Sequence, residues 1–393
     1  MSVSGDEEQI EKTIAEDIVV TKYKMAADIV NRVCKKIIER CVAGASVREL
    51  CKTADNEVLE ETSKVFKKEK DLKKGIAFPT CISVNNCICH FSPLNTDPDY
   101  ILQDDDLVKV DFGAHVDGFI AVVAHSLVVG ASKEKPSTGK KADAILAAHY
   151  ALEAALRLLK KDNENSEITS AVQKVAESYK CKPIEGMLSH QLKQFKIDGE
   201  KTIIQNPNEG QRKEHDKHKF ETYEVYAIDV LISTGEGQGR EMESRTSIFK
   251  KTDETYLLKL KASRQFYSDV NAKCGLMPFN LRIFDSEARA RMGVVECVNH
   301  KLLDPFQVLY ERPNEVVAQF KATVLLMPNG PLRITGGYPV DGDIYQSEHK
   351  IEDEEITKLL STSAKPKKST KKNKAGKPGE APAENGEAAV SSA

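Results

Sequence analysis

The sequence predicts an α+β domain of about 350 residues, with a helical insertion before its last strands and a basic tail after them. Three observations support this. Segments with a helical period and segments with a strand period follow one another in blocks along the first 360 residues. No segment reaches the ~18 consecutive apolar residues that a membrane span needs. After Leu360 the composition turns to Lys, Ser, Pro, Ala and Glu, with too little apolar surface to offset the entropy of ordering. The chain is therefore divided into an acidic flexible N-terminus (1–14), a domain (15–360) with its insertion at about 245–313, and a disordered Lys-rich tail (361–393).

From Thr21 to Cys41, the residues Met25, Ile29, Val30, Val33, Ile37 and Cys41 fall at helical spacing with Lys22, Asn31, Lys35 and Glu39 between them. This is an amphipathic helix that stops near Gly44. A second helix starts at the N-cap Ser46 and turns Leu50, Ala54, Val58, Leu59 and Phe66 to its apolar side. It runs out in six lysines within eleven residues: Lys64, Lys67, Lys68, Lys70, Lys73 and Lys74. A solvated helix end and an RNA-facing patch are both open readings of that run. From Ile76 the period becomes two, and Leu107 to Phe112 and Gly118 to Val129 read as strands. Gly139 to Lys160 and Ser166 to Tyr179 are helices. Val225 to Ile232 and Val316 to Met327 are further strands, ended by turns at Ser233 to Gly237 and Pro328 to Pro331. The first of these turns lacks the Lys-Ser/Thr ending of a phosphate loop and reads as a mobile turn. Between the two strands lie two or three short helices, the clearest from Asp285 to Lys301.

Nine cysteines, an odd number scattered over the chain, read as reduced intracellular thiols and not as a disulfide framework. Cys87 and Cys89 adjoin His90 but lack a second ligand pair at finger-like spacing, so core thiols are expected. The acidic start, with no basic region before an apolar stretch, argues against secretion. The net charge of -3 conceals a division, since residues after 360 carry a surplus of four positive charges and the rest carries minus seven. The tail lysines are Lys365, Lys367, Lys368, Lys371, Lys372, Lys374 and Lys377. Charge alone fits a solvated tail, a nuclear import signal or a handle for a polyanion such as RNA.

Five phrases carry a resemblance. They are Asn85-Asn-Cys-Ile-Cys-His90-Phe-Ser-Pro93, Val108-Lys-Val-Asp111-Phe-Gly-Ala-His115, Gly186-Met-Leu-Ser-His190, Tyr226-Ala-Ile-Asp229 and Val317-Ala-Gln-Phe-Lys321-Ala-Thr-Val-Leu-Leu326. In this order and spacing they resemble type II methionine aminopeptidases over residues 15 to 345. Thr21-Lys-Tyr-Lys-Met25, Lys74-Gly-Ile-Ala-Phe-Pro79, the stretch Ile184 to Gln194 and Arg291-Met-Gly-Val-Val-Glu-Cys297 are more closely similar to the eukaryotic proliferation-associated (ErbB-binding) family. The resemblance implies a pita-bread (creatinase/aminopeptidase-like) fold, two pseudo-symmetric α/β halves around a curved sheet. In the peptidases it also implies a dinuclear metal site held by two Asp, one His and two Glu.

Carried over one residue at a time, those ligands fall on Asp111, Val122, His190, Asp229 and Lys321. Val122 has no donor, Asp229 is one methylene short of Glu, and Lys321 brings an ammonium to a place for a carboxylate. Two unit charges ~4 Å apart interact by about 4 kcal/mol at an effective dielectric near 20, and a divalent ion doubles the repulsion. Lys321 is therefore expected to replace the metal by pairing with Asp111, Asp229 or both. The substrate-facing His that follows the ligand His is here Asp198. His90 matches the other substrate-pocket His and reads as a leftover histidine with a local hydrogen bond.

These positions imply a pseudoenzyme with no metal and no cofactor. The alternative is a weak metalloaminopeptidase with a mononuclear site at Asp111, His190 and Asp229. The family resemblance implies association with the large ribosomal subunit and structured RNA (rRNA), and roles in ribosome biogenesis, translation and cell growth. It also implies growth-signalling and transcription-repressor partners, and shuttling between cytoplasm, nucleus and nucleolus. No membrane insertion is expected, and a monomer is the default. Lysines at 64–74, at Lys193, Lys196 and Lys201, and at 365–377 are the candidates for phosphate contacts. Ile356-Thr-Lys-Leu-Leu360 resembles a Leu-x-x-Leu-Leu element but opens with Ile, and reads as a final amphipathic turn packed on the body.

Overall fold

The computed structural model describes residues 11–364. The acidic residues 1–10 of the N-terminus and the tail lysines Lys365 to Lys377 lie outside the described residues. Helix α1 runs Asp17–Arg40 and buries Val19, Ala26, Val30, Val33 and Ile37 along one stripe. It gives way to a turn at Gly44, whose φ of +89° suits a residue without Cβ. Helix α2, Val47–Lys64, is capped by Ser46, whose hydroxyl accepts from the Glu49 N–H at 3.1 Å. Helices α3 (Lys140–Leu158) and α4 (Asn165–Ser178) form the second pair, α4 opening with a capping box between Glu164 and Glu167.

Both pairs pack on one face of an antiparallel sheet. Its strands run in the spatial order 74–84, 107–116, 119–128, 317–327, 225–233, 188–191 and 202–204. Strand alternation explains the split of side chains between faces. Val108, Val110, Phe112 and Ala114 join α1 and α2 in one core, and Ile228, Val230, Phe320 and Val324 join α3 and α4 in the other. Asp111, Asp229, Gln319 and Lys321, which alternate with these, are left on the opposite face. The sheet with two helix pairs behind it is the pita-bread arrangement.

The halves meet along a narrow seam. Only Lys321 with Ala124 and Ala322 with Val123 stand in ladder register there. Side-chain hydroxyls complete the joint. Ser126 Oγ donates to the Gln319 carbonyl at 2.8 Å and accepts from its N–H at 2.7 Å. Thr323 Oγ1 likewise accepts from Val122 N–H at 2.8 Å and donates to its carbonyl at 3.0 Å.

The segment expected to be a helical insertion is not purely helical. Helices Lys261–Lys273 and Glu287–Asn299 pack on a three-stranded sheet made of Ile248–Lys251, Phe279–Asn280 and Leu303–Phe306. Phe249, Phe266, Phe279 and Phe284 fill its own small core. A buried polar network fixes one side of it to the first half. Arg282 donates to Asp55 at 2.8 Å, to Ser92 Oγ at 3.0 Å and to the Pro93 carbonyl at 2.8 Å. The last helix, Glu354–Ser361, buries Ile356 and packs Leu359 and Leu360 against α3 and α4. Among the described residues, no helix is long and apolar enough to cross a membrane.

Candidate functional site

Ladder register alone assembles the site. Asp111 faces Ala124, Ala124 faces Lys321, and Lys321 faces Asp229, so one row crosses four strands. The small Ala124 side chain leaves room for Lys321 to reach across it. Lys321 Nζ lies 2.7 Å from Asp111 Oδ2 and 3.1 Å from Asp229 Oδ2. Gln319, two residues before it on the same face, donates its amide to Asp229 Oδ1 at 2.9 Å and to Asp111 Oδ2 at 3.2 Å. Two carboxylates thus share an ammonium and an amide, while the second oxygen of Asp111 is buried without a hydrogen-bond partner.

Burial pushes Asp229 up to about 6; Lys321 opposes the rise and the Asp111 charge adds to it. Burial pulls the Lys321 ammonium down, but the two carboxylates outweigh it and hold the group above its ordinary value. The Phe78 ring, with its centroid 5.7 Å from Nζ, forms one wall of this charged pocket.

The other carried-over positions hold no donor set around this row. Val122 sits in an apolar cluster with Ala77, Leu192 and Met277. His190 lies opposite Ala227, its Nδ1 buried and unpartnered, and burial lowers its pKa against the opposing Asp198 charge. Asp198 itself is ion-paired with Lys250 of the insertion. His90, at φ +64°, bonds the Gln307 carbonyl through Nδ1 at 3.0 Å and lies against Phe78 and Phe306. Among the described residues, no group of three or more His, Cys, Asp or Glu side chains is placed to hold a metal ion. Of the three residues of the mononuclear alternative, Asp111 and Asp229 are instead engaged by Lys321. An ammonium stands between the two carboxylates where a cation would have to sit, so these residues do not fit the metal that the peptidase fold implies.

The structure also sorts the lysines. Lys64 is paired with Glu60 and Glu61, each at 2.8 Å. Lys193 is 3.4 Å from Glu11 and from Glu200, Lys196 is 2.6 Å from Glu200, and Lys201 reaches Glu221 and Glu224 at 2.9 and 2.5 Å. Lys74 donates to the Val65 carbonyl. Lys67, Lys68, Lys70 and Lys73 are exposed, and no ion pair joins them to a described acid. Lys67, Lys68, Lys70 and Lys73 are thus the exposed lysines of the 64–74 run with no described carboxylate partner, while Lys193, Lys196 and Lys201 each have one.

Two further readings are refined. The 233–237 turn, expected to be mobile, is fastened to a carboxylate. Glu311, buried at 1% exposure, accepts from Ser233 Oγ at 2.9 Å and from Gly237 N–H at 2.7 Å. Cys87 and Cys89 are buried thiols, raised above their ordinary values chiefly by burial.

The model of metallopeptidase family M24 matches residues 21–248. ErbB-3 binding protein 1 of Solanum tuberosum is 47% identical over 337 residues, covering 85% of each chain. The curved DNA-binding protein of Schizosaccharomyces pombe is 43% identical over 371 residues, covering 94% of this chain and 96% of that one. The solved structure of a thermophilic Arx1 superposes with a TM-score of 0.83 at 31% identity, over 89% of this chain and 99% of that one.

Proposed function

The chain belongs to metallopeptidase family M24, close to its ErbB-3-binding relatives, and from that premise we propose that it is a non-catalytic, aminopeptidase-like protein that binds RNA and ribosomes. The observation that carries the non-catalytic part is the Lys321 bridge between Asp111 and Asp229. A peptidase of this fold needs oxygen donors to hold cations that activate water and polarise the scissile carbonyl. Here one such place is an ammonium and another, Val122, is an isopropyl group. The row can stabilise the sheet, but it has no activated nucleophile to offer a peptide bond.

RNA binding is supported by charge placement and by resemblance. Lys67, Lys68, Lys70 and Lys73 form an exposed cationic turn on an otherwise acidic body, and the tail adds seven lysines. Phosphate neutralisation by such groups gives salt-dependent binding that reads shape more than sequence. In this reading the partners are the large ribosomal subunit and structured rRNA. The protein acts as a monomer in ribosome biogenesis, translation and growth control, moving between cytoplasm, nucleus and nucleolus. Growth-signalling partners and transcriptional repression belong to the same proposal, through the resemblance to ErbB-binding relatives.

Two measurements test it. Metal analysis of the purified protein, with release of N-terminal Met from a short peptide, should show neither stoichiometric metal nor turnover. Metal-dependent turnover abolished by Asp111→Ala would overturn the non-catalytic reading. Sedimentation with 60S particles, repeated with the tail deleted and with the four turn lysines reversed, tests the ribosomal part. Loss of co-sedimentation in neither variant would remove its electrostatic basis.

A further inference from the structure

The small sheet of the insertion also covers the Lys321 row. Phe306 stands edge-on to Phe78, with centroids 5.2 Å apart and planes at 82°, and to His90 at 5.3 Å and 83°. Its ladder partner Ile248 is fully buried and packs with Phe78 and Cys81, and Ile197 closes the cluster from the other side. Two residues beyond Ile248 on the same strand, Lys250 reaches out to Asp198. The Asp198 side chain is 39% exposed and that of Lys250 15%, which makes this a rim contact. The other side of the insertion is held differently. Arg282 and Asp55 form an ion pair with side chains only 6% and 13% exposed, and Asn280, fully buried, donates to the Ser92 carbonyl at 3.0 Å.

The two attachments differ in what separation would cost. Parting Arg282 from Asp55 would strand two buried charges, which is expensive. Parting Lys250 from Asp198 would return to water a lysine 15% exposed and a carboxylate already 39% exposed, which costs less. On the His90 side the Gln307 carbonyl, bonded to His90 Nδ1 at 3.0 Å, adds one more tie, so opening there parts this bond and the Lys250–Asp198 pair and turns about Arg282.

We propose that the insertion is a latched lid over the Lys321 row, with the Asp198–Lys250 ion pair as the latch and the Arg282–Asp55 pair as the pivot. The lid shuts off the pocket around Lys321, which becomes accessible only when the latch parts. This does not rest on the RNA reading; the latch would act in the same way in a chain that bound no RNA.

Cys81 reports on the lid. It is 1% exposed, faces Asp111 in the ladder and packs in one cluster with Ile248. Burial holds its thiol well above the ordinary range, so it is unreactive while the lid is closed. Cys34 and Cys181 lie in the two helix-side cores and serve as controls. In the full chain, alkylation by iodoacetamide is followed at each cysteine by mass spectrometry. Lys250→Gln is expected to speed modification of Cys81 about fivefold, the factor that ~1 kcal/mol of lost closed-state preference gives. Cys34 and Cys181 should stay unchanged. The charge-exchanged pair Asp198→Lys with Lys250→Asp is expected to return Cys81 to within twofold of the natural chain. Asp198→Asn provides a second route if Lys250→Gln does not fold. A Cys81 rate unchanged by either single variant, or one that rises in step with Cys34 and Cys181, would overturn the latch.

Discussion

Replacing Lys321 with Met removes the ammonium and leaves an unbranched side chain one atom shorter. Asp111 and Asp229 are then left with only the Gln319 amide between them. Breaking a buried pair by removing one partner costs ~3–5 kcal/mol when the stranded charge cannot escape. Here it can escape by taking a proton. In the natural chain Asp229 already titrates at about 6. That lies above the unfolded value of ~3.9, so the native state holds the extra proton and stability falls as pH rises between ~4 and 6, by ~3 kcal/mol in all. Without Lys321 the same carboxyl is raised further, so the window of falling stability extends past neutrality. The loss caused by Lys321→Met should therefore be small at pH 5, where a proton replaces the ammonium, and ~3–5 kcal/mol at pH 8, where both carboxylates must stay charged. Urea denaturation of both chains at the two pH values measures it. Asp111→Asn added to Lys321→Met should recover most of the loss at pH 8. Equal destabilisation at the two pH values, or a loss below ~1 kcal/mol at pH 8, would refute the view that Lys321 neutralises the pair.

Val122→Asp together with Lys321→Glu returns oxygen donors to the two depleted places, and equilibrium dialysis against cobalt or manganese should then find bound metal where the natural chain has none. Reversal of Lys67, Lys68, Lys70 and Lys73 to Glu should weaken RNA binding and lower the slope of log K against log salt by ~3, as four lost phosphate contacts would. Neutralising Lys193, Lys196 and Lys201 should change that slope little, since their charges are already matched, and an equal effect from both sets would contradict the sorting. Asp55→Ala should destabilise the insertion by ~3 kcal/mol and raise amide exchange across 248–306 ahead of the helix-side cores.

Much of this fold is legible in the sequence, because α1 to α4 carry long apolar periods, α2 and α4 open with side-chain caps, and the long strands at 107–128, 225–233 and 317–327 are rich in β-branched residues. The strand Lys74–Val84 is less so. It is buried almost throughout, so alternation is lost, and its pairing with 107–116 is interrupted by two register shifts. The insertion's strands are two to four residues long and offer no period at all. At the site, the unusual chemistry of Lys321 and Val122 could be read directly, but its partners could not, since Asp111 lies 210 residues away and only register brings it near. Gln319 escaped notice for the same reason; its spacing of two from Lys321 on a predicted strand was the available signal. Which lysines are free is equally a matter of tertiary neighbours, as the Glu11 and Glu224 partners of Lys193 and Lys201 show.

Under the proposed non-catalytic function, the narrow seam gives the loss of chemistry a direction in time. The ammonium that excludes a cation also ties Asp111 on one side of the joint to Asp229 on the other. Changing Lys321 alone back to an acid would set three carboxylates against each other across a joint that has two register pairs to hold it. The shortest mutational route back to hydrolysis thus runs through a chain less stable than either end. On that proposal the chain is ratcheted, free to drift in what it binds but not at Lys321.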